Sequence, residues 1–261
     1  MTTTTTIAVV NQKGGVAKTT TVVSLGSALV ELGHRVLLVD LDPQACLSFS
    51  VGLDPEALEL SVHDVLLGRV GAGLAVRTTD DGLDVLPATI DLAGAEAHLL
   101  MRTGREYVLA EALEEIAPDY DFVLLDCSPS LGVLTLNALT AADVVLIPLQ
   151  CETLSHRGVG HLLDTVREVQ KRTNRELEVL GVLPTLFDSR TNHSRAVLAD
   201  VTGRYGLPVL EPPIPKSVRF AEAPAIGRSV LSTARTSKGA EAYREHARLL
   251  VERFSVAEVG A

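Results

Sequence analysis

Two lysines five residues apart, followed by two threonines, are the side chains of this sequence best placed for chemistry. They stand in Asn11-Gln12-Lys13-Gly14-Gly15-Val16-Ala17-Lys18-Thr19-Thr20. Gly14 and Gly15 let a backbone wrap closely around an anion. Lys18 offers a point charge to phosphate oxygens, and the Thr19 hydroxyl is a magnesium ligand. Carboxylates follow at Asp40, Asp42 and Asp126, in two apolar runs at 35–42 and 122–126. Carboxylates at the carboxyl end of a parallel strand face the ligand crevice. The blander reading of Asp40 and Asp42, a strand end that caps the next helix, uses the same residues.

The elements around these residues are those that a phosphate site needs. Residues 6–10 read as a short buried strand, and 19–32 as a helix with Val22, Leu25, Leu29 and Leu32 at helical spacing. The loop between them lies at a helix N-terminus, where free N–H groups and the helix dipole favour an anion. Further strands are expected at 83–87, 120–126, 144–149, 178–184 and 208–210, and helices near 105–116, 157–175 and 191–205. This alternation predicts an α/β fold: a doubly wound, mostly parallel sheet with helices on both faces and the site at the strands' carboxyl ends. Residues 54–103 are the least regular, with turn signals at Gly71, Gly73 and Asp80-Asp81-Gly82, and fit an insertion packed on the sheet edge. One domain over 1–261 is expected, with no room for an N-terminal helix-turn-helix ahead of the loop.

The loop departs from the usual G-x-x-x-x-G-K-[ST] pattern, with Gln12 and Ala17 at the two glycine positions. Its K-G-G-x-x-K-T-T core resembles the deviant Walker A loop of the ParA/MinD ATPases, a P-loop NTPase family. The resemblance extends to Asp-Leu-Asp-Pro-Gln at 40–44, to 122–132 with Cys127 in place of a more usual proline, to 183–192, and to the proline-bearing loop at 214–224. It implies ATP and magnesium as cofactors, with Lys13, Gly14, Gly15, Val16, Ala17, Lys18, Thr19 and Thr20 around the phosphates. It implies that Lys13 reaches the nucleotide of a second subunit in an ATP-bound homodimer, that Asp42 orients the attacking water, and that Asp126 holds magnesium with Thr19. Asp40, two residues away on the same strand face, is the alternative to Asp42. Pro215 is the expected apolar contact to adenine, or else only shapes its loop. The family resemblance further implies non-specific DNA binding, for which Arg190, Arg219 and Arg248 are the candidates. It also implies a ParB-like cargo partner that stimulates hydrolysis, and a cytoplasmic, nucleoid-associated location.

Composition narrows the alternatives. The 261 residues are 46% hydrophobic and 3% aromatic with no Trp, as expected of a core built from Leu, Val, Ala and Ile in a helix-covered parallel sheet. The net charge of −10 argues against a globally basic nucleic-acid protein. Residues 214–253 differ, with eight basic residues against four glutamates, a net of +4 that suits weak, reversible contact with a phosphate backbone. Three cysteines at 46, 127 and 151 form no C-x-x-C pair and read as reduced thiols. No apolar run reaches membrane-span length. A MinD-like membrane-cycling role is the alternative function, through an amphipathic helix carrying Tyr243, Ala247, Leu250, Val251 and Phe254. The acidic, weakly apolar 255–261 that follows fits a membrane poorly, so this stripe is expected to dock on the core and no membrane partner is expected.

Overall fold

The computed structural model describes residues 4–152, 155–188 and 190–255. Its strands are β1 (Thr5–Val9), β2 (Val36–Leu41), β3 (Arg77–Thr78), β4 (Asp84–Leu86), β5 (Phe122–Cys127), β6 (Val144–Gln150) and β7 (Glu178–Thr185). They form one sheet in the order β3-β4-β2-β5-β1-β6-β7, parallel except for β3 against β4. Helix α1 (Lys18–Glu31) connects β1 to β2, and α2 (Cys46–Ser50) follows β2. The next segment carries α3 (Val62–Leu66), α4 (Ala72–Ala75) and α5 (Leu92–Leu100), and α6 (Val108–Glu114) precedes β5. Beyond β5 come α7 (Val133–Ala141), α8 (Ser155–Arg172), α9 (Asn192–Tyr205), α10 (Arg219–Glu222), α11 (Val230–Thr233) and α12 (Lys238–Ser255).

Strand alternation divides the core in two. Ala8, Leu37, Val39, Val123 and Leu125 point to one face, where α3 and α5 to α9 cover them. Ile7, Val9, Leu38, Leu124 and Leu146 point to the other, under α1, α11 and α12. Both faces are therefore dry, which is why the strands read as continuous apolar runs rather than alternating ones. The chain leaves β1 toward β2 through α1 and leaves β5 toward β6 through α7, on opposite faces of the sheet. The two strands are neighbours, so a crevice opens between their carboxyl ends, the usual ligand position in an open α/β sheet. Val9 is paired in register with Asp126 at that point.

Three expectations need correction. Residues 208–210 make no strand, only an isolated bridge between Val182 and Val209; Pro208, with Pro212 and Pro213 just after, removes the donors that a longer ladder needs. The segment 54–103 does more than pack on the sheet edge, because β4 extends the sheet in parallel and the two-residue β3 turns back antiparallel beside it. The 35–42 strand ends at Leu41, so Asp42 lies in the loop beyond it. The stripe on α12 is docked as expected: Tyr243, Ala247 and Leu250 are buried, with Tyr243 Oη and Thr21 Oγ1 hydrogen-bonded at 3.0 Å. Residues 256–261 of the tail lie outside the described residues. Among the described residues no helix is long and apolar enough to cross a membrane.

Candidate functional site

The loop of residues 10–17 is held by backbone strain and by tethers to neighbouring strands. Gly15 has φ of 73° and Ala17 φ of 64°, ψ of 36°. A Cβ in the left-handed region costs about 1–2 kcal/mol. Among the described residues, the non-glycine residues with positive φ are Ala17, Ala45 and Leu186, which follow β1, β2 and β7. Strain gathered at the carboxyl ends of strands in one sheet is characteristic of a functional site. The Thr185 hydroxyl donates to Val16 O at 2.9 Å, and the buried Asn11 amide donates to Pro148 O at 2.7 Å while its carbonyl accepts Lys13 N–H at 2.9 Å. Helix α1 has no side-chain cap and no acidic residue in its first turn, so its leading N–H groups remain open to an anion.

The two lysines have different surroundings. Lys18 is buried, with its ammonium 3.4 Å from Lys13 O, inside the curl of the loop. Lys13 lies at the mouth, with a side chain 39% exposed, and forms an ion pair with Glu152 just beyond β6.

The carboxylates separate in the same way. Asp40 and Asp126 are paired in register on β2 and β5 and are both buried. Burial, opposed by its hydrogen bonds, raises Asp40 to about 6. Burial first, and then the charge of Asp40, raises Asp126 well above the usual carboxylate range. Asp40 is held by Ser48, whose N–H and hydroxyl donate to Oδ2 at 2.9 and 2.7 Å, and it accepts Asp42 N–H on Oδ1. Asp42, half-buried at the mouth, accepts only Gln44 N–H among these contacts. Asp126 Oδ2 accepts the Thr19 hydroxyl at 2.6 Å, whereas Oδ1 is buried without a hydrogen-bond partner. An orphaned carboxylate oxygen beside a threonine hydroxyl fits a small oxygen-preferring cation, whose charge would reverse the upward pressure on Asp126.

Cys127 is buried and its thiol is pushed up by burial, which leaves it a packing group. Pro215 lies beside the end of β7, bridged to Phe187, and the two line an open cleft of about 470 Å³ with Pro212, Pro213, Lys238 and Glu241. Arg190, Arg219 and Arg248 are all exposed, but each is paired locally, with Asp188, Glu222 and Glu245 at 2.8, 2.8 and 2.9 Å. The structure thus brings the loop residues and the aspartates together at one crevice and leaves the three arginines on the surface. Ser48, Thr185 and Glu152 had no sequence signal, because each acts on the site from another element. Asn11 adjoins the motif, and its burial was the missing clue.

Residues 4–179 match the family model for the AAA domain. The sporulation initiation inhibitor protein Soj of Bacillus subtilis strain 168 is 45% identical over 243 residues, 93% of this chain and 96% of its own length. The chromosome partitioning protein ParA of Caulobacter vibrioides is 43% identical over 250 residues, 95% of this chain and 94% of its own. A solved structure described as cobyrinic acid a,c-diamide synthase from Mycobacterium smegmatis, with bound ADP and magnesium, superposes with a TM-score of 0.88 at 59% identity, covering 97% of this chain and 96% of that one. The same Mycobacterium smegmatis protein has been solved with an ATP analogue and magnesium. The doubly wound sheet, the two-lysine loop and these relatives agree, and the chain belongs to the ParA/Soj-type partitioning ATPases, with ATP and magnesium as its cofactors.

Proposed function

We propose that this chain is a DNA-partitioning ATPase whose ATP-bound homodimer binds DNA without sequence preference and is released when a ParB-like partner stimulates hydrolysis. The observation that carries this reading is the separation of the two lysines: one inside the phosphate cradle, the other at its mouth on a long stem. Lys18 and the open N–H groups of α1 bind the phosphates within one subunit. Thr19 and Asp126 would hold magnesium, which would supply positive charge to the bound phosphates. Asp42 orients the attacking water, while the buried and fully bonded Asp40 braces the turn that carries it. Lys13 acts on the partner subunit's phosphates in the manner of an arginine finger. Pro215 and Phe187 give the adenine ring an apolar wall. Arg190, Arg219 and Arg248 are the proposed DNA contacts.

The docked face of α12 supports this reading over a MinD-like membrane role, because an apolar face turned to the core is not offered to lipid. The name of the Mycobacterium smegmatis relative points to amide formation. Cys127 and Cys151 are buried and closed to a substrate, and the Soj and ParA relatives at 45% and 43% identity favour partition over that chemistry.

The test is Lys13→Ala. It should lower hydrolysis by about 10³ while ATP affinity changes little, and light scattering with a slowly hydrolysed ATP analogue should report lost dimerisation. A variant that dimerises and turns over like the wild type would reduce Lys13 to a surface residue and remove the basis for this reading.

A further inference from the structure

The carboxyl end of β6 grips Lys13 at two points. Asn11 links Pro148 O of that strand to the Lys13 N–H, which fixes where the lysine leaves the backbone. Two residues past the strand, Glu152 meets the Lys13 ammonium directly. Lys13 O in turn accepts the Lys18 ammonium, so the backbone of the outer lysine is also part of the inner lysine's setting. The two grips differ in kind. Asn11 is buried and bonded on both sides of its amide, a rigid strut; the Lys13–Glu152 pair is half in water, where an ion pair is weak and exchangeable.

We propose that Glu152 is a positioning residue that parks Lys13 in the single subunit, holding its charge until a partner's phosphates replace the carboxylate. The inference rests on the reading that Lys13 acts in trans. Its physical content is a competition. Dimerisation must break one Lys13–Glu152 pair in each subunit before either ammonium can cross, so the carboxylate opposes assembly in the absence of a competing anion and sets how readily the dimer forms. The strut at Asn11 keeps the stem aimed at the mouth after release, so the lysine swings between two anions without reorganising the loop.

Glu152→Gln keeps the shape of the side chain and removes its charge. A half-exposed ion pair is worth about two- to five-fold in an equilibrium, and two such pairs per dimer compound that effect. With a slowly hydrolysed ATP analogue, Glu152→Gln should therefore half-assemble at a protein concentration about 4- to 25-fold below wild type. Its advantage should shrink as salt screens the pair in the wild type. Lys13→Ala/Glu152→Gln should assemble no better than Lys13→Ala alone, because the parking effect of the carboxylate passes through the lysine. A Glu152→Gln protein that assembles like wild type, or less readily, overturns the parking role; less ready assembly would mean that the carboxylate serves the dimer itself. An additive double variant overturns it as well. These failures are distinct from failure of the trans reading, which would appear as a fully active Lys13→Ala protein and would sink both.

Discussion

The crevice at the ends of β1, β2 and β5 and the basic segment at 214–253 both concentrate charge, and they use it differently. In the crevice, Lys18, Asp40 and Asp126 are buried, and each charge is held for a ligand or by a neighbouring donor. In the basic segment, Arg228, Arg244 and Arg253 reach out to Asp81, Glu31 and Glu178 on remote elements. Arg219 and Arg248 pair with carboxylates one turn away on their own helices. Of the eight basic residues, Lys216, Arg235 and Lys238 have no ion-pair partner among the described residues. The +4 counted along the chain is therefore a smaller surplus on the surface. Buried charge is committed to the site by desolvation, whereas surface charge is shared out among whatever the fold brings near. DNA affinity on this account depends on two subunits adding their patches together.

If that contrast is right, substitutions in the crevice act strongly and specifically. The largest effect is expected at Asp42. Asp42→Ala should still bind ATP and accumulate as a dimer by light scattering, with turnover reduced about 10²- to 10⁴-fold by loss of water positioning. Normal turnover there, with turnover lost in Asp40→Ala, would exchange the roles of the two aspartates. Ser48→Ala comes next, and acts on stability. It removes a donor to the buried Asp40 and an acceptor for Ala88 N–H, at a cost of about 1–3 kcal/mol. Thermal unfolding should register about 2–4 °C per kcal/mol in a chain of this size. Arg253→Ala, which breaks an exposed pair, should stay within about 1 kcal/mol in the same assay, and an equal loss in both would erase the distinction between the two regions. The smallest expected effect is at Ala17. Ala17→Gly relieves left-handed strain but adds freedom to the unfolded chain, for a net gain below about 1 kcal/mol. A clear loss of stability would mean that the loop is not strained there.

The same contrast governs what could be read before the fold was known. Apolar runs closed by aspartates, and a glycine pair next to a lysine, have few physical uses, so β1, α1, β2, β5 and the loop were visible in order. Asp40 and Asp42 looked equivalent because strand alternation puts i and i+2 on one face; the strand ends between them, and Ser48 claims the first. That contact joins residues eight apart across a turn, which periodicity does not reveal. Glu152 and Thr185 reach the loop from β6 and β7, more than a hundred residues away in sequence. The carboxylates facing the basic segment were hidden for the same reason. Proline explains the missing strand at 208–210, where apolar character alone suggested pairing.

Retention on plain duplex DNA, compared with ATP and with ADP across a salt series, is the most direct measure of a DNA contact gated by nucleotide. Retention is expected with ATP only, falling steeply as salt rises because counterion release drives the contact, and weakened alike on all sequences by Arg219→Glu with ATPase activity intact. Equal retention with ADP and ATP, or retention indifferent to salt, would contradict it.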